Sequence, residues 1–280
     1  MTTAQRIALG YIRTKFKLLS LVSKKKAAER AFRLFCTPQK RTVKPLPPVF
    51  KEAETLELEL DGIRLHGWRW NHPAENKVLL LHGFESSVTN FDRYVKPLVK
   101  KGYEVIAFDA PAHGRSGGKQ IKAPLYKKMI QTIYTKFGPV QSYISHSFGG
   151  LALALALEEI SHTRDFRAVF IAPATETTSS IDSFFRFLKL DPALRPFFDM
   201  TIVQHGGVSP DWYSINRALK HIRARIRWFH DEDDDITPLQ DALVIKAQNL
   251  PDVEFVITKG LGHRRIYRDN KVHRSIVDFL

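Results

Sequence analysis

The sequence contains a single cysteine, Cys36, so no internal disulfide can form. Such sparing use fits a reducing compartment. No run of 18 or more apolar residues occurs, which argues against a membrane-spanning helix. No proline precedes Pro38, so nothing covalent interrupts a helix in the first 35 residues. There is no visible internal repeat and no recognised nucleic-acid module. What remains is an ordinary globular composition, with 44% hydrophobic and 26% charged residues in 280. That length suits one large α/β domain or two small ones.

Acidic residues are scarce in one place only. Residues 1–44 carry twelve Lys/Arg and one acid, Glu29, whereas the rest of the chain holds 31 basic and 28 acidic groups. The net charge of +14 therefore belongs to an N-terminal arm. The body shows no basic face, so no nucleic-acid partner is expected. A single helix is expected over about residues 4–35. At 100° per residue, Arg6, Arg13, Lys17 and Lys24 share one stripe. Ala8, Leu9, Tyr11, Ile12, Phe16, Leu18, Leu19 and Val22 spread over a wide apolar arc that Lys15 interrupts. Two readings stand. Either the arc packs on the body or on a second subunit, or the arm (residues 1–44) makes peripheral contact with a membrane surface, lysines toward anionic headgroups. Arg13, Lys15 and Lys17 break the apolar region and no clean cleavage site follows, which argues against a cleavable signal peptide. The expected location is cytoplasmic, with membrane-surface association on the second reading. Pro45-Leu46-Pro47-Pro48 reads as a stiff connector. Residues 1–48 are thus expected to form arm and linker, and 49–280 the folded domain.

The body begins with strict alternation over Thr55–Leu60, as in a half-buried strand. Asp61-Gly62 signals a hairpin, and Ile63–Trp70 returns. Short apolar runs follow at Val78–Leu81, Val105–Phe108, Tyr143–Ser145, Ala168–Ile171, Ile226–Phe229 and Val253–Ile257. Helical stretches are expected at about 90–101, 123–137, 148–161, 237–249 and 270–280. Strands buried on both faces and alternating with helices predict a mostly parallel sheet covered on both sides, mixed at one edge by the opening hairpin. About 50 residues separate the strands ending near Ala172 and starting near Arg225. That interval is too long for a plain loop. It predicts a small helical cap at about 175–222. Phe184, Phe185 and Trp212 are candidates to contact substrate there, although such aromatics more often form a cap's own core.

In parallel sheets the ligand crevice lies beyond the strand C-terminal ends. Three segments just after strands carry chemistry. Ser145-His146-Ser147-Phe148-Gly149-Gly150 runs from a strand into a strong helix former and needs small residues two before and two after Ser147. The helix N-terminus there favours developing negative charge. Leu81-His82-Gly83-Phe84 offers a backbone amide at Phe84 to pair with that of Phe148 as an oxyanion hole. His82 itself reads as structural, since a lone histidine is weak evidence of catalysis. The third segment pairs His230-Asp231-Glu232-Asp233-Asp234-Asp235-Ile236-Thr237-Pro238 with Gly260-Leu261-Gly262-His263. An imidazole titrates near neutrality and can take a serine proton, and a carboxylate behind it fixes the tautomer.

Together with Asp109-Ala110-Pro111-Ala112-His113-Gly114-Arg115-Ser116, these motifs resemble the α/β-hydrolase superfamily over residues of about 55–280. Five weak motifs in the right order and spacing make a strong match. The resemblance implies a Ser147–Asp234–His263 triad, because the family's acid stands four residues before the loop proline. Asp231, Asp233 and Asp235 are then expected to be solvated neighbours or helix-start residues. It also implies that Asp109 and Gly114 shape a loop beside the site. Ala112 stands where the family commonly has glycine.

The expected activity is serine-dependent hydrolysis of a small-molecule carboxylic ester or thioester through an acyl-enzyme, with no metal and no organic cofactor. The rival readings are a membrane-surface lipid hydrolase or acyltransferase, a non-catalytic binding protein on the same fold, and metal hydrolysis by the Asp231–Asp235 cluster. That cluster lacks the spacing of a calcium loop.

Overall fold

The computed structural model describes residues 3–41, 43 and 45–280. Thr42 and Lys44, counted with the arm above, lie outside the described residues, as do Met1 and Thr2. Contacts divide the chain into two units: Met1–Thr37 with Glu176–Tyr213, and Pro38–Thr175 with Ser214–Leu280. The helices are α1 (Thr3–Val22), α2 (Lys24–Phe35), α3 (Asp92–Lys100), α4 (Ala123–Phe137), α5 (Phe148–Leu157), α6 (Thr177–Leu188), α7 (Arg195–Gly206), α8 (Ile215–Ala218), α9 (Leu239–Lys246), α10 (Gly262–Arg265) and α11 (Asn270–Phe279).

The larger unit is built on one sheet. Its strands are β1 (Glu54–Leu60), β2 (Ile63–Trp70), β3 (Lys77–Leu81), β4 (Glu104–Phe108), β5 (Ser142–His146), β6 (Arg167–Ile171), β7 (Arg225–Asp231) and β8 (Val253–Thr258). They lie in the order β1-β2-β4-β3-β5-β6-β7-β8. β2 runs antiparallel to β1 and β4, and every other pairing is parallel. The expected mixed edge and parallel centre are both present.

Local chemistry explains the pattern. In β1, Leu56, Leu58 and Leu60 are buried while Glu57 and Glu59 face water. The central strands are apolar on both sides and buried almost throughout, as strands sandwiched between helices must be. The all-Ala/Leu helix α5 is buried on every face after Phe148, which is why it shows no amphipathic stripe. Parallel pairing sets Leu81 beside Ser145, His146 beside Ile171, and Asp231 beside Thr258. The segments that carry chemistry therefore leave the same edge of the sheet.

The smaller unit differs from the expected arm in two ways. The helix does not run unbroken from 4 to 35. Ser23 takes extended backbone (φ −159°, ψ 108°) and its side chain accepts the Lys26 amide, starting a second helix. A serine hydroxyl that competes for backbone amides is a good helix start and a poor interior residue. In addition, α2 packs with the inserted helices. Phe32 and Phe35 meet Phe198 edge-on at 5.7 and 5.8 Å between ring centres, and Phe35 meets Phe184 at 5.2 Å. Ala27, Ala28 and Ala31 are fully buried on the same helix. Each edge-to-face pair adds about 0.5–1.5 kcal/mol beyond area burial. The chain thus groups residues up to Thr37 with Glu176–Tyr213 rather than separating an arm at residue 48. Residues 214–222, expected in the cap, belong to the larger unit, where the Ile215 amide donates to Thr175 O at 2.9 Å.

Candidate active site

One residue, Ser147, connects β5 to α5. Its backbone is held at φ 54°, ψ −123°, a conformation that a non-glycine residue keeps only when its surroundings over-determine it. They do so here. The Ser147 amide donates to Ile171 O at 3.0 Å, and its carbonyl accepts the amides of Gly150 and Ala174 at 2.9 and 3.0 Å. A Cβ on Gly149 would fall 2.7 Å from His82 O and 2.8 Å from Leu81 O, so the close pass of this turn over β3 requires glycine. Ser145 replaces the commoner glycine without penalty, since its buried hydroxyl donates to Val169 O at 2.8 Å. A Cβ on Gly83 would lie 2.8 Å from Ser147 Cβ, which places the loop after β3 against the serine. Neither the Phe84 nor the Phe148 amide hydrogen-bonds to any described residue.

The acidic loop after β7 resolves into distinct tasks. The Asp234 side chain is wholly buried. Its Oδ2 accepts His263 Nδ1–H at 2.8 Å, and its Oδ1 accepts the amides of Ile236 and Thr237 at 2.9 and 2.8 Å. Burial pushes this carboxyl toward protonation, but the His263 hydrogen bond and charge and the two amides outweigh it, holding it below the usual carboxylate range. Thr237 Oγ1 donates to Asp234 Oδ2 at 2.9 Å and lies 3.1 Å from His263 Nδ1. Thr237 thereby braces the pair.

Asp231 is not the solvated neighbour that the sequence suggested. It is fully buried. Its Oδ1 accepts the amides of Gly262 and Asp233 at 2.8 and 3.0 Å, and its Oδ2 accepts Thr258 Oγ1–H and the Leu261 amide at 2.7 and 3.1 Å. Burial opposes its charge, yet these four donors prevail and hold the carboxyl below its usual range. Its contribution to stability is therefore present at neutral pH. It is lost as pH falls through the unfolded value toward the folded one. Asp231 ties the turn that carries His263 to the end of β7. Asp231→Asn puts an NH₂ against amide donors. It is expected to lower kcat about 10–100-fold with a small change in KM, and to destabilise the fold by about 1–3 kcal/mol in urea unfolding. Wild-type kcat in this variant would show that the tie is dispensable. Among the described residues the exposed Asp233 carboxylate accepts only the Gly260 amide, at 2.9 Å.

Five histidines gather at this edge, and hydrogen bonds separate their roles. His82 donates from Nδ1 to Gly83 O at 2.7 Å and accepts the Ala110 amide on Nε2 at 2.9 Å. His113 donates to Pro111 O and accepts the Glu85 amide, both at 2.9 Å. His146 donates from Nε2 to His263 O at 2.9 Å. His230 donates to Thr237 O at 3.0 Å. Burial depresses all four and keeps them neutral. His113 is brought down to about 3 with help from His82, and His146 to about 3 with help from His263. Each of these rings is occupied in holding backbone. Of the five, His263 alone hydrogen-bonds a carboxylate, while its Nε2 hydrogen-bonds no described residue; His230 Nε2 lies 3.6 Å from the same Asp234 Oδ2. The Ser147 hydroxyl makes no hydrogen bond to His263 among the described residues. The His146 ring lies 4.6 Å from the His263 ring, tilted at 43°.

The loop after β4 braces the site as expected. Asp109 Oδ1 accepts the Val88 amide at 3.1 Å and Oδ2 the Arg115 amide at 2.9 Å. A Cβ on Gly114 would fall 2.0 Å from Asp109 Oδ2. Ala112 sits at φ 65°, which accounts for the usual glycine there, and alanine costs about 1–3 kcal/mol at such a position. Phe184, Phe185 and Trp212 lie in the smaller unit. Phe184 and Phe185 pack with Phe198 at 6.2 and 5.3 Å, and Trp212 packs on Tyr213 at 5.3 Å. Among the described residues, no three His, Cys, Asp or Glu side chains are placed to hold a metal, and the loop's buried carboxylates are saturated by the donors named above.

Comparison with known proteins bears on the fold. Residues 72–217 match the family described as serine aminopeptidase, S33. An uncharacterised hydrolase of Bacillus subtilis, YugF, is 28% identical over 105 residues, which is 36% of this chain and only 38% of the relative. The esterase Pf2001 of Pyrococcus furiosus superposes with a TM-score of 0.64 at 22% identity, covering 87% of this chain and 95% of that one. Est1E from Butyrivibrio proteoclasticus, solved with ferulic acid, superposes at 0.61 with 18% identity, covering 80% and 97%. At such identities the structural likenesses speak for the fold, and the family match covers more than half of the chain. The chain belongs to the serine aminopeptidase S33 family of the α/β-hydrolase superfamily.

Proposed function

We propose that the protein hydrolyses small-molecule carboxylic esters or thioesters through an acyl-enzyme on Ser147. The observation that carries this reading is the Asp234–His263 hydrogen bond at the same sheet edge as the strained Ser147 turn and the unpaired Phe84 and Phe148 amides. Ser147 Oγ attacks the carbonyl carbon while His263 Nε2 takes its proton. The Asp234 carboxylate holds the tautomer with Nδ1 protonated and stabilises the imidazolium. The oxyanion accepts the Phe84 and Phe148 amides. Each such donor is worth about 2.7–4 kcal/mol in the transition state. Collapse breaks the bond to the leaving alkoxide or thiolate, which takes the proton from His263. Water then gives a proton to His263 and attacks the acyl carbon, releasing the acid and the free serine. Every group in this scheme comes from the protein and from water.

The esterase name of the Pyrococcus furiosus protein supports an ester over a peptide substrate. The test uses a fluorophosphonate probe and a pair of chromogenic substrates, an acyl ester and an aminoacyl anilide. Stoichiometric labelling with ester turnover is expected. A correctly folded wild type that the probe leaves unmodified would refute the serine mechanism, and faster anilide turnover would overturn the substrate assignment.

A further inference from the structure

Helix α1 carries two apolar faces, and the fold uses only one. Phe16 is buried, and Leu9, Ile12 and Leu19 beside it are partly buried. The Arg13 guanidinium donates to Phe187 O at 2.6 Å at the end of α6, which fixes that side of the helix within its own unit. On the other side, Ile7, Tyr11, Leu18, Leu21 and Val22 are 60–83% exposed. At helical spacing these five fall within an arc of about 100°. Single exposed apolar residues need no explanation, but a continuous stripe of five along one helix does. The stripe is rimmed by cations: Arg6 and Lys17 on one side and Lys15 on the other. Lys24, Lys25 and Lys26 follow where Ser23 breaks the helix. One groove beside the stripe is lined by Arg13, Lys17 and Lys189 with a single acid, Asp191.

We propose that this face of α1 docks on an anionic lipid surface, with the five apolar side chains in the interfacial layer and the basic rim on the headgroups. Charge decides the occupant. Residues up to Thr37 contain nine basic side chains and one acid. A second copy of the same face would bring cation rows together, whereas anionic headgroups pair with them. Among the described residues no helix is long and apolar enough to cross a membrane. The contact is peripheral, and it is independent of the reaction at Ser147.

The full-length protein is sedimented with phosphatidylcholine vesicles, either pure or containing about one-third phosphatidylglycerol. Wild type is expected to co-sediment with the anionic vesicles only, and to be released by salt. Ile7→Ser with Leu18→Ser is expected to weaken binding about tenfold or more. Arg6→Gln with Lys15→Gln and Lys17→Gln is expected to abolish the preference for phosphatidylglycerol. All these positions are exposed and distant in sequence from Ser147, so circular dichroism and thermal unfolding should match wild type. Wild type that stays in the supernatant would overturn the proposal, as would equal binding by the Ile7/Leu18 variant. A lipid-free dimer that the Ile7/Leu18 variant dissolves would assign the face to a second copy instead.

Discussion

Ser147→Ala is expected to lower kcat on a chromogenic ester by about 10⁴–10⁶-fold and to abolish fluorophosphonate labelling. The two free amides survive this change, so a residual acceleration of about 10³–10⁴ over water should remain. The fold should not suffer. The turn is fixed by main-chain bonds to Ile171, Gly150 and Ala174, none of which uses the hydroxyl, and alanine meets the same backbone constraint as serine at φ 54°. An unchanged unfolding midpoint with lost turnover separates chemistry from stability. Persistent labelling of the alanine variant would place the nucleophile elsewhere.

Asp234→Asn is expected to cost about 10⁴-fold in kcat. The asparagine oxygen can still accept the Ile236 and Thr237 amides, so the turn persists, but the group facing His263 loses its charge and can offer N–H in place of an acceptor. The imidazole is then held in the wrong tautomer, or the imidazolium goes uncompensated. Asp233→Asn and Asp235→Asn should retain activity within about threefold, because Asp233 and Asp235 are exposed and, among the described residues, the Asp233 carboxylate accepts only the Gly260 amide. The ratio between these variants is the measurement. Equal losses at all three positions would mean that the acid has been placed in the wrong register.

The strands were legible because their cause is local. Alternation in Glu54–Leu60 and the solid apolar runs of the inner strands follow from which faces meet water, and a single stretch of sequence states that. The site was legible for a related reason. A nucleophile turn, a glycine loop and an acid–histidine pair each need particular residue types at short spacing, and a parallel sheet sends all of their strands to one edge. Thr237 was visible in its motif but had no reason attached to it, since its work is done on His263, 26 residues away. The resemblance that picks Asp234 leaves Asp231 as a solvated neighbour or helix-start residue, yet it is buried. Nothing nearby announces that Thr258, Leu261 and Gly262 will converge on it. Nothing around His146 marks its role, and only the return of the chain 117 residues later supplies its partner.

The arm shows the same boundary from the other side. Its composition disclosed a basic, amphipathic, helix-forming segment, and it could not disclose which part of the apolar arc would be used. Phe32 and Phe35 find their partners at Phe184 and Phe198, some 150 residues onward, and Phe16 turns inward while Leu18 and Leu21 remain in water. By itself the sequence determined the strands, their order and the candidate serine and imidazole, because strand and turn preferences act over a few residues. Tertiary structure alone decided which carboxylate touches the imidazole, which histidines merely brace backbone, and which face of the first helix stays open. Those outcomes depend on contacts between segments far apart in the chain, and no local pattern records them.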